Sequence, residues 1–210
     1  MFDKTKFKEN GFLLIPEYYN IDTDMINNAK SIMSDKAYTG GRRYLTHNLD
    51  NVRKDLRSLV VTTEIAEFLN HFTKEEISCK DIMLTYDYKH EVKTRNKWLH
   101  FDRWRSLKAL VYLTDVEEDM GPFSVVPGSH VTGAAMRRSF RSLPYDRRPN
   151  RIELDYPGFY KKPLKLLGKA GTLILFDSDI FHMGGNISPN KERILIRSHW
   201  YVDRSWQEVC

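Results

Sequence analysis

His100 and Asp102 stand two positions apart in Trp98-Leu-His-Phe-Asp-Arg-Trp104. In an extended chain, residues i and i+2 point to the same side about 6.6 Å apart, so an imidazole and a carboxylate at this spacing converge on one ion. The triplet by itself is common, and a hydrogen-bonded polar pair at a strand end accounts for it equally well. A third donor shifts the balance. His182 follows the run Phe176-Asp-Ser-Asp-Ile-Phe181 and precedes Gly184-Gly185, where the backbone is free to turn closely. Two histidines and one carboxylate on strands are the donor set of a non-haem Fe(II) facial triad, which leaves three of six positions open. The same set suits Zn with one water, a hydrolytic centre.

Arg193 separates these two readings. It lies eleven positions after His182, at the start of Arg193-Ile-Leu-Ile-Arg197. A dicarboxylic 2-oxo acid that chelates iron at one end needs a fixed cation at the other, and a guanidinium offers a bidentate fork for it. Alternation places Arg197 and His199 on the face of Arg193, so Arg197 is a candidate contact for an anionic substrate, with a buried structural ion pair as its rival. Trp98 and Trp104 flank the triplet at i+2 spacing and are candidate walls of a substrate pocket, core packing being their ordinary alternative. His130 is the one rival to His182 as third ligand, but no anchoring cation follows it at matching spacing. His47, His71 and His90 sit in no motif.

These side chains need strands to hold them. Runs punctuated by Gly or Pro predict strands at 81–88, 96–101, 107–114, 123–126, 163–167, 172–176, 180–183 and 193–201. Eight short strands of this kind indicate a mainly β fold, a double-sheet jelly roll or barrel. Ahead of them, Gly11-Phe-Leu-Leu-Ile15 reads as a strand halted by Pro16. A helix capped by Asp22 or Thr23 follows, with Met25, Ala29, Ile32 and Met33 on one face, and a second helix is expected over 58–71. The expected organisation is one domain over 1–210, with residues 1–79 packing on a core of about 80–205. Residues 133–162 form an insertion of a length often found in lids.

At 210 residues the chain is long enough to bury a core without staples. Its longest apolar runs are too short to span a bilayer, and its start lacks the apolar core of a signal peptide, so a cytoplasmic protein with no membrane partner is expected. Cys79 and Cys210 form no disulfide framework and no metal knuckle. The net charge of +5 is concentrated in Arg137, Arg138, Arg141, Arg147, Arg148 and Arg151. Such a run is usually a solvated loop, and otherwise favours an anionic partner.

The His100-x-Asp102, His182 and Arg193 pattern joins the segment Tyr112-Leu-Thr-Asp-Val-Glu-Glu-Asp-Met-Gly-Pro-Phe-Ser-Val-Val-Pro-Gly-Ser-His130. Together they resemble the phytanoyl-CoA dioxygenase family of Fe(II)/2-oxoglutarate oxygenases. Phe7-Lys-Glu-Asn-Gly-Phe-Leu-Leu-Ile-Pro16 is similar to that family's N-terminal strand. The resemblance spans nearly the whole chain. It implies a double-stranded β-helix core, Fe(II) held by His100, Asp102 and His182, 2-oxoglutarate anchored by Arg193, and dioxygen as the second cosubstrate. Hydroxylation of a small organic substrate, anionic if the basic insertion contacts it, with release of succinate and CO2, would follow. One position departs from the family: a serine found in some members two places after the second histidine is Gly184 here. Lys108, on the face of Leu110 and Tyr112, is a candidate to supply the missing contact to 2-oxoglutarate. Two other classes stay open: a jelly-roll binding protein without turnover, and a nucleic-acid-directed oxygenase or binding module using residues 137–151.

Overall fold

The computed structural model describes residues 2–34, 42–45, 54–88, 98–152 and 162–201. Nine strands carry the fold: β1 Phe12–Ile15, β2 Arg42–Leu45, β3 Ser78–Tyr88, β4 Leu107–Tyr112, β5 Phe123–Val125, β6 Leu164–Leu166, β7 Leu173–Asp177, β8 His182–Met183 and β9 Glu192–Tyr201. They form a six-stranded sheet in the order β1-β7-β4-β9-β3-β2 and a three-stranded sheet in the order β6-β5-β8. Every named pairing is antiparallel. The two sheets face each other as the halves of a jelly roll.

Period-2 alternation decides what each face of the large sheet meets. Ile82 and Leu84 of β3, Ala109 and Val111 of β4, Leu175 of β7 and Ile196 of β9 are buried on its outer face. There they pack against the apolar sides of three helices, α1 Lys4–Asn10, α2 Thr23–Ser34 and α4 Thr63–Asn70, through Phe7, Ala29, Met33, Ile65 and Phe68. The inner face is turned toward the small sheet. Leu110, Tyr112, Ile174, Phe176 and Leu195 meet Phe123, Val125 and Leu166 there. The Tyr112 hydroxyl ties the sheets together, donating to Leu166 O at 2.9 Å and accepting from Phe123 N at 3.1 Å.

Local chemistry explains where the elements differ from expectation. The helix expected over 58–71 is shortened to α4, because residues 58–60 form a turn that follows a separate short helix, α3 Lys54–Arg57. Thr62 is extended, and its hydroxyl accepts from Ile65 N at 3.1 Å, so this β-branched residue starts a new helix instead of continuing one. Residues 7–16 do not form one strand. Asp3 caps α1 by accepting from Lys6 N, and Gly11, at φ 79°, ends it in the left-handed conformation before β1 begins.

The strand expected at 96–101 is reduced, among its described residues, to two bridges at His100, with Arg151 and with His182, and that at 180–183 to His182–Met183. Ile180 N donates to Asp177 O in a turn, which shortens the latter. The insertion does not start at 133, because helix α5, His130–Ser139, begins at the Pro-Gly-Ser-His turn. A 3-10 turn at Tyr145–Arg147 follows. Residues 153–161 of the insertion, like His47, His90 and Cys210, lie outside the described residues.

Candidate metal centre

His100 and His182 are brought together by the backbone. His100 N donates to His182 O at 2.9 Å, and His182 N donates to His100 O at 2.7 Å. Residues that exchange both bonds are directly opposite and send their side chains to the same face. The two imidazole centroids are consequently 4.4 Å apart. Asp102 lies two residues on and is held by its own N–H donating to Ser178 O at 2.9 Å. Phe101, between them, turns the other way and is buried near Phe181. One ligand atom from each of His100, Asp102 and His182 lies within 4.8 Å of the others, and no other such group is found among the described residues.

The protonation pattern suits a metal. His100 Nδ1 is 2.7 Å from Trp98 O, and His182 Nδ1 is 2.7 Å from Ile180 O. A carbonyl only accepts, so each Nδ1 carries the proton and each Nε2 keeps its lone pair. Burial, and then the neighbouring His100, pushes His182 down to about 3. His100 is lowered as well, chiefly by burial. Both rings are therefore neutral at pH 7, the form that binds a metal.

For Asp102, burial pushes the carboxyl up, but Lys108, His182 and His100 together outweigh it and hold it below the usual carboxylate range. Its Oδ2 accepts from the Lys108 ammonium, while Oδ1 faces His182 Nε2 at 3.7 Å. Two neutral imidazoles and one ionised carboxylate on a common face fit Fe(II), and equally Zn.

Lys108 is not solvated. Only 4% exposed, it projects from the inner face of β4 between Asp102 and the ring of Phe176, and burial lowers its pKa against the pull of Asp102. Arg193 is equally buried on the inner face of β9. Its Nη2 donates to Asp87 Oδ2 at 2.6 Å and its Nη1 to Gly121 O. Gly121, at φ 68°, and Gly185 approach so closely that a Cβ on either would collide with the other's segment. That approach fixes the carbonyl under the guanidinium. Arg193 Nε is buried with no hydrogen-bond partner among the described residues.

The remaining candidates scatter. Arg197 is on the same inner face, its Nη2 2.7 Å from Met83 Sδ, and its charge contributes to lowering His100 and Lys108. His199 faces Asp81 at 3.6 Å and the Tyr201 hydroxyl at 3.2 Å. Trp98 is 42% exposed, with the Arg151 guanidinium 3.2 Å from its ring centre, so it is not core. Trp104 lines a separate cavity. His130, the rival ligand, starts α5 and packs over Gly11, away from the cluster. His71 ends α4 against Phe72. Asp87, fully buried beside Arg193, is the residue that sequence reasoning missed. Its signal, an acid opposite Arg193, exists only once the β3–β9 register is known.

The model of the family described as phytanoyl-CoA dioxygenase (PhyH) matches residues 7–195. No curated protein matches the chain. Among solved structures, the chain is similar to the non-heme alpha ketoglutarate dependent epimerase SnoN from nogalamycin biosynthesis. There the TM-score is 0.71 at 15% identity, over 94% of this chain and 80% of that one. It is also similar to the alpha ketoglutarate dependent carbocyclase SnoK of the same biosynthesis, with a TM-score of 0.70 at 19% identity, over 94% and 81%. HygX from Streptomyces hygroscopicus, solved with nickel and 2-oxoglutarate bound, gives 0.63 at 16% identity, over 97% and 88%. At these identities the likeness is one of fold.

Proposed function

Because the chain belongs to the phytanoyl-CoA dioxygenase family of Fe(II)/2-oxoglutarate oxygenases, we propose that it hydroxylates a small anionic organic substrate, holding Fe(II) through His100, Asp102 and His182. The convergence of these three donors, with both Nε2 lone pairs turned away from the backbone, carries the reading. When bound, iron and 2-oxoglutarate would supply, with dioxygen as the oxidant, the oxidative decarboxylation that yields succinate and CO2 and oxidises the substrate. What the chain contributes is ligation, orientation and exclusion of water. The carbonyls of Trp98 and Ile180 fix the two imidazole tautomers, and Lys108 holds the outer oxygen of Asp102 so that Oδ1 stays turned to the ligand cluster.

Arg193 is our assigned anchor for the far carboxylate of 2-oxoglutarate. Its buried Nε–H lacks an acceptor among the described residues, as a cation awaiting a partner would. Asp87 already offsets part of its charge, which makes a second cation useful, and Lys108 is assigned that part. Gly184 offers no hydroxyl at the position where some relatives carry one. Arg197 is assigned to the substrate side of the inner face. Trp98, stacked by Arg151 at the surface, is assigned to its rim. The measurement that tests the reading is succinate formed from 2-oxoglutarate with Fe(II), in wild type and in His100→Ala. Succinate is expected only from the wild type, and equal turnover in both contradicts the reading.

A further inference from the structure

Six arginines from two distant segments, Arg103, Arg105, Arg137, Arg138, Arg141 and Arg148, line one cavity of about 290 Å3, with Trp104 and Tyr201 among its walls. Among the described residues, no carboxylate lines it. The segment from Arg103 to Leu107 that forms one wall directly follows the metal-centre residue Asp102 and leads into the strand that carries Lys108. No residue of the His100, Asp102, His182 cluster lines the cavity. It is therefore a neighbour of the metal centre and not the centre itself.

Five of the six guanidiniums fall into two groups. Arg105 donates to Asp177 at 2.8 Å, and Arg137 grips Asp179 through two bonds of 2.7 and 3.0 Å, so these two are neutralised from behind and build the wall. Arg103, Arg138 and Arg148 have no carboxylate partner among the described residues. Two of them are nevertheless held in place. Arg103 Nε donates to Arg148 O, and Arg148 donates to Leu143 O and Arg141 O. Arg137 and Arg138 occupy the last turn of α5, where cations are favoured by the helix dipole, and that accounts for their presence on α5. It does not account for Arg103 and Arg148, which arrive from other segments with their forks fixed by main-chain carbonyls. Holding like charges together in a partly enclosed space is unfavourable unless an anion joins them. A single carboxylate is satisfied by one guanidinium, whereas a phosphate group has the charge and oxygens for several.

We infer that this cavity binds a phosphate-class group, and, resting on the oxygenase reading above, that the group is the anionic end of the substrate held beside the metal centre. Four arginines of the run, Arg137, Arg138, Arg141 and Arg148, are thus gathered with Arg103 and Arg105 around one cavity.

The test is calorimetric titration of the full chain with inorganic pyrophosphate, in wild type, Arg138→Glu and Arg147→Glu. Arg147 belongs to the same run but is exposed outside the cavity, so its reversal changes net charge equally. Saturable binding is expected in wild type and Arg147→Glu, and binding about tenfold or more weaker in Arg138→Glu. Absence of saturable binding in the wild type, or the same loss in both variants, overturns the site. Glycerol 3-phosphate and glycerol separate the two sources of the anion. The ester is expected to bind where the alcohol does not, and a site that takes pyrophosphate but excludes the ester is one for a free ion, which overturns the assignment to substrate. Titration with 2-oxoglutarate on the same proteins keeps the two readings apart. Arg138→Glu is expected to bind it as the wild type does, and a matching loss there would make the cavity part of the cosubstrate site and overturn this inference. A wild type that binds pyrophosphate but forms no succinate would contradict the oxygenase reading and leave the phosphate site standing.

Discussion

The two faces of the six-stranded sheet are built from the same strands and do opposite things. Along β9, Ile194 and Ile196 point outward into a mainly apolar layer beneath the helices, while Arg193, Arg197 and His199 point inward. Along β4, Ala109 and Val111 face the helices and Lys108 faces the cluster of His100, Asp102 and His182. Both faces exclude water, since all six residues of β4 are buried. The outer face is stabilised by area removed from water, about 1.5–3 kcal/mol for each fully buried large aliphatic chain. On the inner face each ion needs a partner, and the partners found are Asp87 for Arg193 and Asp102 for Lys108. Buried ions that could have been aliphatic cost stability, so their place in a core is a mark of function.

Removing a charge should therefore cost more than removing methylenes. Arg193→Met leaves the buried Asp87 without its guanidinium and is expected to lower stability by about 3–5 kcal/mol, read by chemical denaturation, with part recovered when Asp87→Asn is added. It should abolish measurable 2-oxoglutarate affinity as well. On the other face, Ile196→Ala is expected to cost about 2–5 kcal/mol through the cavity it opens, while Fe(II) affinity stays at the wild-type value. A fall in metal affinity in that variant would break the division between faces. Lys108→Met takes the ammonium from Asp102 and should weaken 2-oxoglutarate binding about tenfold, the loss of one charge-assisted contact. An unchanged affinity removes Lys108 from the cosubstrate site and leaves it only the Asp102 contact.

That division was half legible in the sequence. Alternation on 193–199 and 107–112 already puts Arg193, Arg197 and Lys108 on the faces they occupy, because a period of two is a purely local property. The same holds for His100 and Asp102. Which of His130 and His182 completes the cluster depended on Arg193 and on family likeness, since nothing local distinguishes the two rings. Asp87 was invisible, because its role is set by pairing with a residue more than a hundred positions away. The basic cavity was half visible. The 137–151 run stood out, but Arg103 and Arg105, and the Asp177 and Asp179 carboxylates that neutralise two of the arginines, join it only through tertiary contacts. The break at Thr62 was readable, since a threonine after Val60-Val61 is a capping signal that apolar periodicity overrode.

The central claim is that His100, Asp102 and His182 hold one metal ion. Anaerobic titration of wild type and His182→Ala with Fe(II) tests it most directly. One ion per chain is expected in the wild type, with affinity at least about a hundredfold weaker in the variant, because a lost ligand costs no less than a lost supporting contact. Equal affinity and stoichiometry in the two proteins would contradict it.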